Sequence, residues 1–332
     1  MKKPTIADLA QAAGVSKTTV SHAFSGRRHV EPETRKRIMK IAGDIGYRPN
    51  RAAQTLRTGR TGMIALASSM PFSVAAGPSK LGFLMEIAAT AAVTSLSRNM
   101  ALCLIPPFQP GTDLDAISPD GVILVEPFRD DPLVAHFAAL DVPIVSIGRV
   151  PGQEDIPHVD LNSAETARLV LEHLHASGAR RIGLVTGRQR RNSYLETEAT
   201  YRAFCNETAM DPLALQLDET GGEDLAATEV GQVLADHPGL DGLFVPVDAF
   251  ASGVVAAAAS RGVSIPGALK IATRYDGLRA KLASPPLTAV ELHLEEIADL
   301  AVGLLMSAIT GEKPISRKAP QPSLVLRQST GA

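Results

Sequence analysis

Residues 5–47 read TIADLAQAAGVSKTTVSHAFSGRRHVEPETRKRIMKIAGDIGY, and their spacing decides the fold of the N-terminal segment. Thr5 is a helix cap with Asp8 three positions on, the two halves of a capping box. Ile6, Leu9, Ala10 and Ala13 follow at helical spacing. Gly14 supplies a tight turn, and Ser16 caps a second helix. In that helix Val20 and Phe24 stand one turn apart and face inward, while Lys17, Thr18, Ser21 and His22 share the opposite face. Pro32 and Gly46 bracket a third helix, with Ile38, Ile41 and Ile45 on its buried stripe. Two helices across a short turn, followed by a supporting helix, make the helix-turn-helix pattern, whose second helix can enter a DNA groove.

Charge points the same way. The 332 residues carry a net −2, yet residues 1–60 hold 13 Lys/Arg against four acidic residues, a local +9 that leaves −11 for the rest. A basic head on an acidic body suits a DNA binder with a separate sensing domain. A hydrophobic content of 45% supports the cores of two or three domains and excludes a disordered chain. No run approaches the ~20 apolar residues of a membrane span, and no signal-peptide core precedes the first helix. Cys103 and Cys205 lie in separate apolar runs, which argues against a disulfide framework and for packing residues in a reducing cytoplasm.

From Gly62 onward short apolar runs alternate with helical segments, the signature of a parallel α/β sheet. Strands are expected at 63–67, 101–105, 121–125, 143–147, 181–186, 243–246 and 270–273. Helices are expected at 81–97, 164–177, 199–208, 224–236 and 249–261. No GxSxG elbow, GxxxxGK[ST] phosphate loop or GxGxxG after the first strand is present. His158 near Asp160 has no further ligand at metal spacing, and His173 and His175 point to different helix faces. No catalytic residue, cofactor or metal site is therefore expected.

Thr5-Ile6-Ala7-Asp8-Leu9-Ala10, Gly14-Val15-Ser16, Thr19-Val20-Ser21-His22 and Gly46-Tyr47-Arg48-Pro49-Asn50 resemble the headpiece of the lac-repressor family of bacterial transcription regulators. Asp120-Gly121-Val122-Ile123-Leu124 and Gly178-Ala179-Arg180-Arg181-Ile182-Gly183 extend the likeness over the body. The resemblance implies an all-α helix-turn-helix headpiece at 1–48, a hinge helix and linker at 49–60, and an effector-binding and dimerisation domain at 61–332. That domain would have type-I periplasmic-binding-protein architecture. One Rossmann-like half would take about 61–158 and 289–320, the other about 160–287 and 321–332. Glu31 departs from the family's usual Ser cap, the loop 70–80 is longer than usual, and 106–118 is shorter.

The same resemblance assigns residues. Thr5, Ser16, Lys17, Thr18, Thr19, Ser21, His22, Arg28 and Tyr47 would meet DNA from the headpiece, and Asn50, Ala53, Leu56 and Arg57 from the hinge. Leu56 would be a minor-groove wedge. Eight hinge residues make a helix that is marginal alone in water. In the body Thr197 falls where the family usually holds its effector with an Arg. Arg149, Asp160, Arg191, Ser193, Asp248 and Asp276 fall at cleft positions, with Phe83 or Leu84 on the opposite wall. Asp160 and Asp276 could instead cap helices or pair with arginines. With no Trp, Phe72, Phe83 or Phe250 would have to stack on a sugar face. The implied protein is a dimeric repressor on a pseudo-palindromic operator, with a small polar, sugar-like effector. The rivals are a constitutive regulator without an effector, a corepressor-dependent regulator of non-sugar metabolism, and a secreted binding protein, which the basic headpiece opposes. The C-terminus adds no leucine heptad for a tetramer.

Overall fold

The computed structural model describes residues 4–25, 28–48, 59–75, 82–107 and 114–331. The hinge positions Asn50, Ala53, Leu56 and Arg57 lie outside them, as do 76–81 and 108–113. Two compact units result, Met1–Thr61 and Gly62–Ala332.

The first unit holds α1 (Ile6–Ala13), α2 (Lys17–Ser25) and α3 (Pro32–Ile45). Its capping box forms: the Thr5 amide donates to Asp8 Oδ2 at 2.7 Å, and the Asp8 amide donates to Thr5 Oγ1 at 3.4 Å. Gly14 and Gly46 close α1 and α3 at φ 62° and 69°, a left-handed conformation that costs glycine nothing. Ser16 Oγ accepts the Thr19 amide at 3.0 Å and so caps α2. Glu31 makes no side-chain cap bond, in keeping with its weaker capping chemistry. Leu9, Val20 and Ile38 are fully buried at the centre, and Phe24 meets Tyr47 edge to face at 5.8 Å.

In the second unit β1 (Met63–Ala67), β2 (Ala101–Leu104), β3 (Val122–Val125), β4 (Ile144–Ile147) and β5 (His158–Asp160) build one sheet. The late strand β11 (Arg317–Lys318) completes it in the order β11-β5-β4-β3-β1-β2, parallel throughout. A second parallel sheet has the order β7-β6-β8-β9, from β6 (Ile182–Gly187), β7 (Leu213–Leu217), β8 (Gly242–Val245) and β9 (Lys270–Thr273). β10 (Ala289–Glu291) and β12 (Ser323–Val325) pair antiparallel. Every residue of β3, β6 and β8 is buried, the continuous burial that a sheet covered on both faces requires.

The helices are α4 (Phe72–Ala75), α5 (Phe83–Ser97), α6 (Pro132–Ala139), α7 (Ser163–Ala176), α8 (Asn192–Thr208), α9 (Gly222–Asp236), α10 (Asp248–Ser260), α11 (Leu278–Leu282) and α12 (Leu294–Ile309). α8 begins seven residues before the expected 199, and the periodicity of 192–198 misleads because Ser193 and Thr197 bury polar side chains. The chain passes between the halves after β5, after β10 and between β11 and β12. Asn162 and His293, just past the first two passages, are left-handed at φ 51° and 58°. Among the described residues of 106–118 no helix forms, and Leu114 packs with Phe137 beneath the first sheet. No described helix is long and apolar enough to cross a membrane.

Candidate functional site

On the headpiece, Ser16, Lys17 and Thr18 are exposed at the start of α2, and Thr19, Ser21 and His22 are half-buried further along it. Thr5 and Arg28 are exposed. Tyr47 is half-buried, and burial pushes its phenol pKa up. α2 carries no acidic residue in its first turn to repel phosphate.

The second unit has a cleft between its halves where the C-terminal ends of the strands converge, the usual ligand position in an open α/β sheet. Met70, Val74, Phe83 and Glu126 line it from the first half; Tyr194, Pro246, Val247, Asp248, Arg274 and Tyr275 line it from the second. Little space is left between these walls.

Arg191, just before α8, is 0% exposed. Its Nε donates to Glu219 Oε1 at 3.1 Å, and its Nη1 donates to Ser69 Oγ at 3.2 Å and to the Glu126 carbonyl. The guanidinium sits 5.5 Å from the Phe128 ring centroid. Burial opposes its charge, but Glu219 and Glu126 outweigh that and raise its pKa. Glu219 also accepts the Tyr194 hydroxyl at 2.9 Å, and burial reinforced by Glu219 holds that phenol well above its usual range.

Glu126 is the hub of the cleft. It follows β3 at φ 52°, is buried, and its carboxylate accepts Ser193 Oγ and Arg274 Nη1, the latter at 3.1 Å. Arg274 lies over Phe83 at 5.3 Å, and Tyr275 meets Phe83 edge-on while donating its hydroxyl to Glu86. Asp248, the first residue of α10, accepts the Ala249 amide at Oδ1 (2.7 Å). Its Oδ2 has no hydrogen-bond partner among the described residues, with Arg279 Nε 3.8 Å away. Burial pushes the Asp248 pKa up to about 6 against the opposing charge of Arg279.

Of the residues named from sequence, Phe83 and Asp248 line the cleft, while Arg191 and Ser193 sit on its seam. Thr197 is buried one turn further along α8. Leu84 and Phe250 are core residues, and Phe72 is exposed. Asp160 pairs with Arg149 at 2.5 Å, and Asp276 faces Arg327 at 2.6 Å and Lys281 at 3.4 Å, both outside the cleft lining. Glu126, Tyr194, Glu219, Arg274 and Tyr275 were not anticipated. Glu126 and Arg274 each directly follow the C-terminal end of a parallel strand, a position that could have flagged them. Glu219, at the start of a single 3-10 turn after β7, carries no such signal.

A helix-turn-helix headpiece joined to a periplasmic-binding-protein-like body defines a class of DNA-binding transcription regulators. Residues 5–50 match the model of bacterial regulatory proteins of the lacI family, and residues 171–330 match that of the periplasmic binding protein-like domain. The chain is 28% identical to the HTH-type transcriptional regulator CelR of Thermobifida fusca, over 99% of this chain and 98% of that one. It is 26% identical to catabolite control protein A of Priestia megaterium, over 98% and 99%. Its fold is similar to that of a CelR–cellobiose complex (26% identity, TM-score 0.73, covering 98% and 100%). It is likewise similar in fold to the lac repressor dimer bound to operator and an anti-inducer (23% identity, TM-score 0.81, covering 100% of each). The chain thus carries a lacI-family helix-turn-helix domain and a periplasmic binding protein-like domain, and its full-length relatives are transcription regulators.

Proposed function

We propose that the protein is a dimeric, ligand-responsive repressor that binds a pseudo-palindromic operator in the cytoplasm and holds a small polar effector in the cleft of its body. The observation that carries this reading is the cleft itself, where charged and aromatic side chains from both halves converge and Asp248 Oδ2 faces Arg279 without a hydrogen bond among the described residues. Such a site suits a molecule with hydroxyl or amine donors and an apolar face. That CelR has been solved with cellobiose favours a sugar or sugar derivative. Phe83, Ser193, Arg191, Asp248 and Thr197 are the effector residues nearest the lining, with Arg149, Asp160 and Asp276 in supporting pairs. On the DNA side Lys17, Thr18 and His22 read base edges, while Thr5, Ser16, Thr19, Ser21, Arg28 and Tyr47 position the headpiece. Asn50, Ala53, Leu56 and Arg57 form the hinge, Leu56 acting as the wedge.

The test is selection of bound duplexes from random DNA, followed by a thermal-shift screen of sugars, sugar phosphates, polyols and amino compounds. The selected site should be pseudo-palindromic. A compound that shifts the wild type should shift Asp248→Asn less, and should change operator affinity. Asymmetric selected sites, or a shift undiminished in Asp248→Asn, would count against the proposal.

A further inference from the structure

We infer that the cleft is held shut by the chain's own side chains, with Arg191 joining the two halves as a bound ligand otherwise would. A small molecule then acts on this protein by opening it. The regulatory half of this statement rests on the proposed function; the closure stands on geometry alone.

The seam is crossed repeatedly. Arg191 reaches from the second half to Ser69, the Glu126 carbonyl and the Phe128 ring. Ser193 and Arg274, also from the second half, converge on the Glu126 carboxylate. Ser73 donates to the Glu219 carbonyl at 2.6 Å, and Tyr275 donates to Glu86. The backbone joins in: the Arg129 amide donates to the Arg190 carbonyl at 3.1 Å, beside an antiparallel bridge between Phe128 and Arg191.

Charge balance lets the halves close without a charged guest, while Arg191 Nη2, Glu219 Oε2 and Arg274 Nε keep no hydrogen-bond partner among the described residues. The side chains of Arg191, Glu219, Glu126 and Arg274 are 0%, 1%, 2% and 9% exposed, and they form two ion pairs. A cleft that closes only on a charged or strongly polar ligand would bury groups that lack a counter-charge until the ligand arrives. Here the first half supplies Glu126 and the second supplies Arg274, so each compensates the other across the seam. A molecule that touches both walls must first separate them. Removing one member leaves a lone charge buried in the closed form and drives the halves apart.

Hydrogen–deuterium exchange on the full-length, ligand-free protein reads this directly, because the Arg129 amide bonds across the seam. In the wild type that amide should be protected roughly a hundredfold or more, with protection falling about tenfold or more in Arg191→Met and in Glu126→Gln. Amides of β6 should be unchanged and report that the fold is intact. Ser73→Ala touches no buried charge and should lower Arg129 protection several-fold, which keeps the test decisive where a charge variant misfolds. An Arg129 amide that exchanges like a free loop in the wild type would overturn the closure. So would unchanged protection in the folded variants. Neither DNA nor effector is in the tube, so this experiment can fail while the repressor reading stands, and the reverse.

Discussion

Asp248 holds a charge that its surroundings resist. Burial pushes the pKa of its carboxyl up to about 6 from a usual 3.8, against the opposing charge of Arg279. A raised acid pKa means the folded chain takes up the proton first. The ionisation penalty is therefore complete above pH 6 and absent below about 3.8. Asp248→Asn should stabilise the body by ~1–2 kcal/mol at pH 7.5, less than the ~3 kcal/mol ceiling of the shift because Arg279 loses its counter-charge. The gain should fade as pH drops through 6 toward 4 in thermal-unfolding scans. A gain that did not depend on pH would show that the carboxylate is not the cause. On the headpiece, Lys17 is exposed and suited to guanine acceptors. Lys17→Ala should lose ~1–3 kcal/mol for the selected operator and much less for random DNA, as fluorescence anisotropy would report. Residue roles were the least legible layer of the sequence. Thr197 and Asp276 were placed by resemblance, yet the charges that converge on the cleft are Glu126, Glu219 and Arg274, whose partners stand 25 or more positions away.

Elements were far more readable, because caps and periodicity are local. The Thr5–Asp8 box and the two left-handed glycines appear where their sequence signals place them. Thr5→Ala should cost the headpiece ~1 kcal/mol, and Glu31→Ser, which restores a cap oxygen at an uncapped helix start, should return about as much. Both are measurable as shifts of the headpiece transition in calorimetry. Strands buried on both faces were equally plain as apolar runs. What escaped were elements whose environment is not local. α8 buries polar residues toward the seam, β7 alternates exposed and half-buried side chains until its last residue, and β11 and β12 are strands only by virtue of distant partners. α5 leaves Val93 and Leu96, three positions apart, each 72% exposed. In the proposed dimer such an apolar pair is best buried against the partner. Replacing both with Glu should weaken dimerisation by about tenfold or more, read by sedimentation.

At the scale of the whole body, the alternation of strands and helices announced two Rossmann-like halves, whereas how their joints are built could not be read from pattern. The Asn162 side chain donates to the carbonyls of Ala319 and Pro320 at 2.9 and 3.2 Å, and the Ala319 amide donates to the Asp160 carbonyl at 2.8 Å. The first and third passages between the halves are thus riveted to each other. Two segments bonded side by side resist sliding past each other, which favours rotation of the halves about the riveted pair. Asn162→Gly keeps the left-handed backbone at no steric cost but removes the two side-chain bonds of the rivet. Distances between spin labels on the two halves should then spread without their mean backbone folds changing. An unaltered distribution would place the stiffness of the joint elsewhere. With the rivet in place, any push on the cleft walls reaches the far end of the body as a turn of fixed axis, with little of it lost to sideways slip.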